Sequence, residues 1–182
     1  MTSEILDAID FSQKSFWISL ASIAFNPLFW NYVARKEYNT HFITRTFGNS
    51  YYGCYALAVT IFSLGIFRDY LYKQAIENQP SLTLLQHDYI KVISAILFIF
   101  GNIFVLSSMY ALGITGTYLG DYFGILMNDR VTSFPFNVLD NPMYYGSSMV
   151  FLSTALWYAS PAGIILTIWV FLLYLIALEY EG

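Results

Sequence analysis

The sequence predicts an all-α integral membrane protein of four to five hydrophobic helices, the last two forming a helical hairpin. Three observations carry that expectation. Of the 182 residues, 57% are hydrophobic and only 11% are charged, against roughly 25% charged in a soluble domain. The apolar residues gather into five runs. Only Ala159, Ser160 and Pro161 separate the last two runs. The length suits one compact unit, so residues 1–182 are expected to form a single transmembrane domain.

The first run, 16–34, is interrupted by Asn26-Pro27. Proline inside a helix removes a backbone donor and crowds the preceding turn. This run is therefore expected to be a kinked span or a re-entrant helix. The runs at 51–67 and 92–112 approach the ~20 apolar residues of a full crossing. As helices, 143–158 and 162–178 would be about 24 and 26 Å long, each barely enough to cross. Pro161 suits the first turn of a new helix, so the two read as a hairpin. That hairpin places Asn141–Gly146 and Glu179–Glu181 at one membrane face. The alternative buries only the fifth run and leaves 113–160 as a loop on the opposite side. It would leave Met149–Leu152 and Ala155–Trp157 in water, a costly exposure of apolar surface.

Charge is concentrated in the connections. Residues 35–50 and 68–91 each hold three Lys or Arg, so the positive-inside rule gives a tie and no orientation. Trp17, Trp30 and Trp157 lie near run ends, as interface anchors do, whereas Trp169 lies inside the last run, as a packing residue does. His41 and His87 sit in separate connections and read as solvated. The net charge of −4 argues against a nucleic-acid partner. A single cysteine, Cys54, excludes an internal disulfide and a cysteine-cluster metal site, and it reads as a small buried residue. Residues 1–10 are acidic and lack the basic region of a cleavable signal peptide. Neither a phosphate-cradling Gly-x-x-x-x-Gly-Lys-Ser/Thr nor a zinc-binding His-Glu-x-x-His occurs, and no metal is expected.

Residues 113–146 differ from the rest. Glycines recur at 113, 116, 120 and 124, and Asp121, Asp129 and Arg130 stand among aromatic residues. Small residues let a helix or a ligand approach the backbone closely. Helix packing would account for the glycines alone. A long polar and aromatic connection in so small a membrane protein points to function.

Three stretches carry a resemblance: NPLFWN at 26–31, GTYLGDYFGIL at 116–126 and NVLDNPMY at 137–144. They resemble the small phosphatidylethanolamine N-methyltransferases, or phospholipid methyltransferases, of fungi and animals. The resemblance runs from about residue 16 to the end. It implies S-adenosylmethionine as methyl donor and a phospholipid acceptor in the bilayer. It implies successive N-methylation of phosphatidylethanolamine, through its mono- and dimethyl forms, to phosphatidylcholine. It also implies a multi-pass protein of the endoplasmic reticulum or mitochondria-associated membrane. NPMYYG at 141–146 further resembles the His-Pro-x-Tyr-x-Gly element of isoprenylcysteine carboxyl methyltransferases, with Asn141 in place of histidine. The Gly-x-Gly assigned to cofactor binding in the phospholipid family aligns with Ile99-Phe100-Gly101, and its Glu-Glu aligns with Glu181-Gly182. One residue of each doublet is retained. The family continues into a short polar tail, so the chain is expected to be trimmed after Gly182.

Site residues follow from this resemblance and the chemistry it implies. An amine acceptor has a pKa near ~10 and starts protonated, so a carboxylate base is wanted. Glu181 would bind the donor's amino group or act as that base; its structural alternative is an interfacial carboxylate ending a helix. Asp121 is a second base candidate, or holds Arg130 or a tyrosine. Phe100 and Gly101 would touch the cofactor. Asn141 and Pro142 suit a helix start, whose free N–H groups would receive the donor's carboxylate. Tyr144, Tyr145 and Gly146 would shape the adenosine pocket, or pack the helix start. Arg130 would clamp lipid phosphate, or snorkel to the interface. Tyr118, Tyr122 and Phe123 would hold methylated ammonium by cation–π attraction. Asn102 reads as a helix-packing residue with cofactor contact as the lesser option. Two rival functions remain: methyl transfer to another acceptor such as a prenylcysteine carboxylate, and a non-catalytic helical scaffold.

Overall fold

The computed structural model describes residues 2–181. Gly182, aligned with the second position of the family's Glu-Glu element, lies outside them. The helices are α1 Thr2–Asp7, α2 Lys14–Thr40, α3 Phe42–Phe47, α4 Ser50–Glu77, α5 Asp88–Thr117, α6 Pro142–Trp157 and α7 Pro161–Glu181. No strand occurs among the described residues. Among the described residues, three segments are long and apolar enough to cross a membrane: Ser50–Glu77, Asp88–Phe123 and Pro161–Glu181. The chain is an all-α protein of the membrane type.

Helix α2 passes through Pro27 and continues to Thr40. Side-chain amides on either side of Pro27 bond to backbone carbonyls. Asn26, buried, donates to the Leu64 carbonyl of α4 at 3.3 Å, and Asn31 donates to the Pro27 carbonyl at 3.0 Å. At its far end, the buried Glu37 carboxylate accepts from the Ile43 and Thr44 backbone N–H groups and from the Thr44 hydroxyl. A carboxylate at a helix N-terminus satisfies donors that the helix itself cannot. It fixes α3 against the end of α2.

The structure lengthens the second apolar run. The sequence assigns Arg68–Glu77 to a connection, but α4 carries them to Glu77. No glycine or proline interrupts the backbone between Gly65 and Pro80, so nothing stops the helix sooner. The consequence is that Arg68 and Asp69 stand inside a long helix, directly after its apolar stretch. In α5, the helical backbone breaks at Gly113, whose φ of 69° is left-handed, a conformation that glycine adopts without steric cost.

Helices α6 and α7 form the expected hairpin. The turn between them is made by Tyr158, by Ala159 with a left-handed φ of 51°, and by Ser160. The Ser160 hydroxyl accepts from the Gly163 N–H at 3.0 Å, an N-cap that complements Pro161 in the first turn. The buried Tyr72 of α4 ties the pair. Its hydroxyl lies 2.9 Å from the Phe151 carbonyl oxygen of α6 and 3.1 Å from that of Gly163 in α7. Phe16, Ile23, Tyr72, Phe151, Leu166 and Val170 form the main buried cluster, shared by α2, α4, α6 and α7. Helices α5 and α6 cross at two glycines. A Cβ on Gly101 would lie 2.7 Å from the Gly146 carbonyl oxygen, and one on Gly146 would lie 2.7 Å from that of Gly101. Only hydrogen at both positions permits this approach.

Candidate active site

Helices α5, α6 and α7 run antiparallel in turn, so the C-terminal ends of α5 and α7 and the start of α6 meet at one face. There they enclose one end of a cavity of about 690 Å³, a size within the usual range of small-molecule sites. The cavity runs between α4 on one side and α5 and α6 on the other, and residues of α2 and α7 complete it.

Glu181, the last residue of α7, anchors this end. Its Oε1 accepts from the Tyr144 hydroxyl at 2.6 Å and from the Trp30 indole N–H at 3.2 Å. Its Oε2 has no protein donor among the described residues. Helix α6 begins at Pro142, which cannot donate, and the Asn141 side chain makes no capping bond. The N–H groups of Met143 and Tyr144 lie in the first turn, where no intrahelical acceptor exists. Asn141, Pro142, Met143, Tyr144 and Glu181 all line the cavity. A carboxylate and a helix N-terminus thus stand side by side. Such an arrangement can receive an ammonium and a carboxylate of one small molecule. The Tyr144 ring is fixed from below by Tyr174, stacked at 4.6 Å.

Other expected residues divide. Asp121, in the short turn Gly120–Phe123, is exposed and lines the cavity, as does Tyr118. Tyr122 stands edge-on to Tyr38 at 6.2 Å and does not line the cavity. Phe123 is buried with Cys54 and Leu57. The three aromatic residues do not form one face. Gly101 and Gly146 face each other rather than the cavity, and Phe100 is exposed on the outer side of α5. Tyr145 points away from Tyr144 and packs against Phe171 at 6.0 Å. Adjacent residues of a helix face directions about 100° apart, and of the two only Tyr144 lines the cavity. Asn102 lines the cavity while donating to the Phe98 carbonyl of its own helix at 2.8 Å. Arg130 is exposed and borders a second cavity of about 510 Å³ together with Asp129 and Asp140. Among the described residues, no group of three His, Cys, Asp or Glu side chains is placed to hold a metal ion.

Sequence reasoning missed Trp30, Arg68, Asp69, Asp140 and Tyr174, which also line the cavity. Trp30 reads as an interface anchor, yet its indole reaches Glu181 across 151 residues of sequence, a pairing that no local pattern encodes. Arg68 and Asp69 were findable, because the helix has no breaker before Pro80.

Comparison with known proteins gives the site its context. A model of the phospholipid methyltransferase family matches residues 89–182, which include α5, α6, α7 and the connection between α5 and α6. The phosphatidyl-N-methylethanolamine N-methyltransferase of Neurospora crassa is 55% identical over 181 residues, covering 99% of this chain and 85% of the relative. Its namesake in Emericella nidulans is 58% identical over 175 residues, covering 96% and 85%. The human phosphatidylethanolamine N-methyltransferase is 46% identical over 179 residues, covering 98% and 90%. No solved structure matches the chain. Identity at this level over nearly the whole chain leaves one conclusion: the chain belongs to the phospholipid methyltransferase family.

Proposed function

We propose that this chain is a phospholipid N-methyltransferase of the endoplasmic reticulum or mitochondria-associated membrane. It methylates phosphatidylethanolamine and its mono- and dimethyl derivatives towards phosphatidylcholine, with S-adenosylmethionine as donor. The observation that carries the reading is the corner in which Tyr144 and Glu181 meet at 2.6 Å beside the open start of α6. The relatives named for this activity support it.

The residues present fit the donor. Its ammonium would be received by Glu181 and its carboxylate by the N–H groups of Met143 and Tyr144, with the Tyr144 ring as a face for the base. When bound, the donor supplies a methyl on a sulfonium sulfur for in-line displacement by a neutral amine. The chain's own work is positioning and proton removal. A primary amine of pKa ~10 is almost wholly protonated at neutral pH. Asp121, at the same end of the cavity, takes that proton as general base. Glu181 holds a fixed orientation through its two donors, and Trp30 keeps its Oε1 turned into the bundle. Tyr118 offers a π face to ammonium that has gained methyl groups and can no longer donate as many hydrogen bonds.

The test is reconstitution of the purified chain into phosphatidylethanolamine vesicles with methyl-labelled donor. Label is expected in the lipid fraction as mono-, di- and trimethylated products. Label confined to protein, or none at all, would refute the reading.

A further inference from the structure

The deep half of the cavity contains a feature that methyl transfer at the Tyr144–Glu181 corner does not use. Arg68 is in a segment apolar and long enough to span the membrane, and only 14% of its side chain is accessible. Its Nε donates to Asp69 Oδ1 at 3.1 Å, its Nη1 donates to the Tyr174 hydroxyl at 3.1 Å, and its guanidinium lies 5.0 Å above the Phe151 ring. A guanidinium carries five N–H groups, so these partners do not exhaust it. Charged side chains within the bilayer are costly and mark ligand pathways. An apolar pair of equal volume would pack the helix at less cost.

Charge is also divided along the cavity. Asp121, Asp140 and Glu181 line the upper end. Arg68 and Asp69 line the other end, together with an exposed Lys73 whose ammonium lies 3.8 Å from Glu77. Tyr174, which meets Arg68, precedes Glu181 by seven residues, a depth of about 10 Å. A cavity with an anionic end and a cationic end favours a dipolar ligand lying along it. Phosphatidylethanolamine is such a ligand, with an ammonium joined to a phosphodiester by a two-carbon arm.

We infer that Arg68 is the phosphodiester subsite of the lipid acceptor. The acceptor's ammonium then points up the cavity towards Asp121. A planar guanidinium suits two phosphate oxygens at once. Asp69 and the Phe151 face hold it in that orientation. This inference rests on the lipid-methylating reading above.

The test compares two acceptors in the reconstituted full chain: phosphatidylethanolamine, and a diacyl amine lipid with a neutral carbamate in place of the phosphodiester. Wild type is expected to show a KM roughly tenfold or more lower for the phosphodiester lipid. Arg68→Gln is expected to erase that preference and leave the donor KM unchanged, whereas Arg68→Lys retains part of it. Tyr174→Phe keeps the guanidinium and is expected to keep the preference, whatever it does to turnover. Equal KM values for the two acceptors in wild type overturn the inference even if Arg68→Gln fails to fold. A preference surviving in Arg68→Gln overturns it, as does one lost equally in Tyr174→Phe, which would assign Arg68 to holding the tyrosine stack. A wild type that methylates neither acceptor defeats the parent reading together with this one. A wild type that methylates both equally defeats this one alone.

Discussion

Tyr144 joins the two halves of the candidate site with one hydroxyl. It stands in the first turn of α6 and donates to Glu181 at the end of α7, 37 residues away. Tyr144→Phe keeps the ring stacked on Tyr174 and removes only that bond to a carboxylate. A bond to a charged group contributes about 1.5–3 kcal/mol, so donor affinity measured by titration is expected to fall roughly tenfold or more. Tyr145→Phe, one residue on, is expected to change donor affinity by less than about twofold, because its ring lies against Phe171 and outside the cavity. Tyr118 is the one member of the expected aromatic face that lines the cavity. Cation–π contacts contribute about 0.5–2 kcal/mol, so Tyr118→Ala is expected to raise the ratio of mono- to trimethylated lipid roughly two- to fivefold. Lipid chromatography reads that ratio, and Tyr122→Ala, off the cavity, should leave it unchanged.

At the scale of helices, the crossing of α5 and α6 has no room to spare. Gly101→Ala puts a methyl 2.7 Å from a backbone oxygen and 2.8 Å from Val150. Backbone on both sides must move, so a loss of about 1–3 kcal/mol is expected, read as a lower unfolding temperature in detergent. Gly65→Ala on α4 is the contrasting case, with no atom nearer than 4.0 Å. It is expected to be neutral or stabilising by about 0.5–1 kcal/mol through helix propensity. The hairpin turn rests on the Ser160 cap, and Ser160→Ala is expected to cost about 1 kcal/mol in the same assay. These elements were legible in unequal degree. Pro161, three residues after Tyr158, announces the turn because its missing N–H suits a helix start. Gly101 and Gly146 were visible as glycines, but their mutual contact pairs positions 45 residues apart, and only packing reveals it. The length of α4 is not legible from hydropathy, because the apolar run stops before Arg68 and Asp69 while the helix continues to Glu77. Charged residues do not break a helical backbone, and those within a membrane helix turn towards the bundle interior or a cavity.

Across the whole molecule, five long or medium helices surround a cavity acidic at one end and basic at the other. The acidic end was readable in advance. NPMYYG and Glu181 lie at opposite ends of two helices of similar length joined by a tight turn, and antiparallel geometry brings them together. The basic end was not, since it depends on where α4 faces, and the weak amphipathicity of a membrane helix does not encode that. The account stands on the acidic end being the donor's pocket. Titration of the purified protein with S-adenosylmethionine, by calorimetry, tests this most directly in wild type and Glu181→Gln. The amide keeps an oxygen for Tyr144 and Trp30 but loses the charge. Saturable binding in wild type, weakened roughly tenfold to hundredfold in Glu181→Gln, is the predicted result. Equal affinity in the two proteins would contradict it.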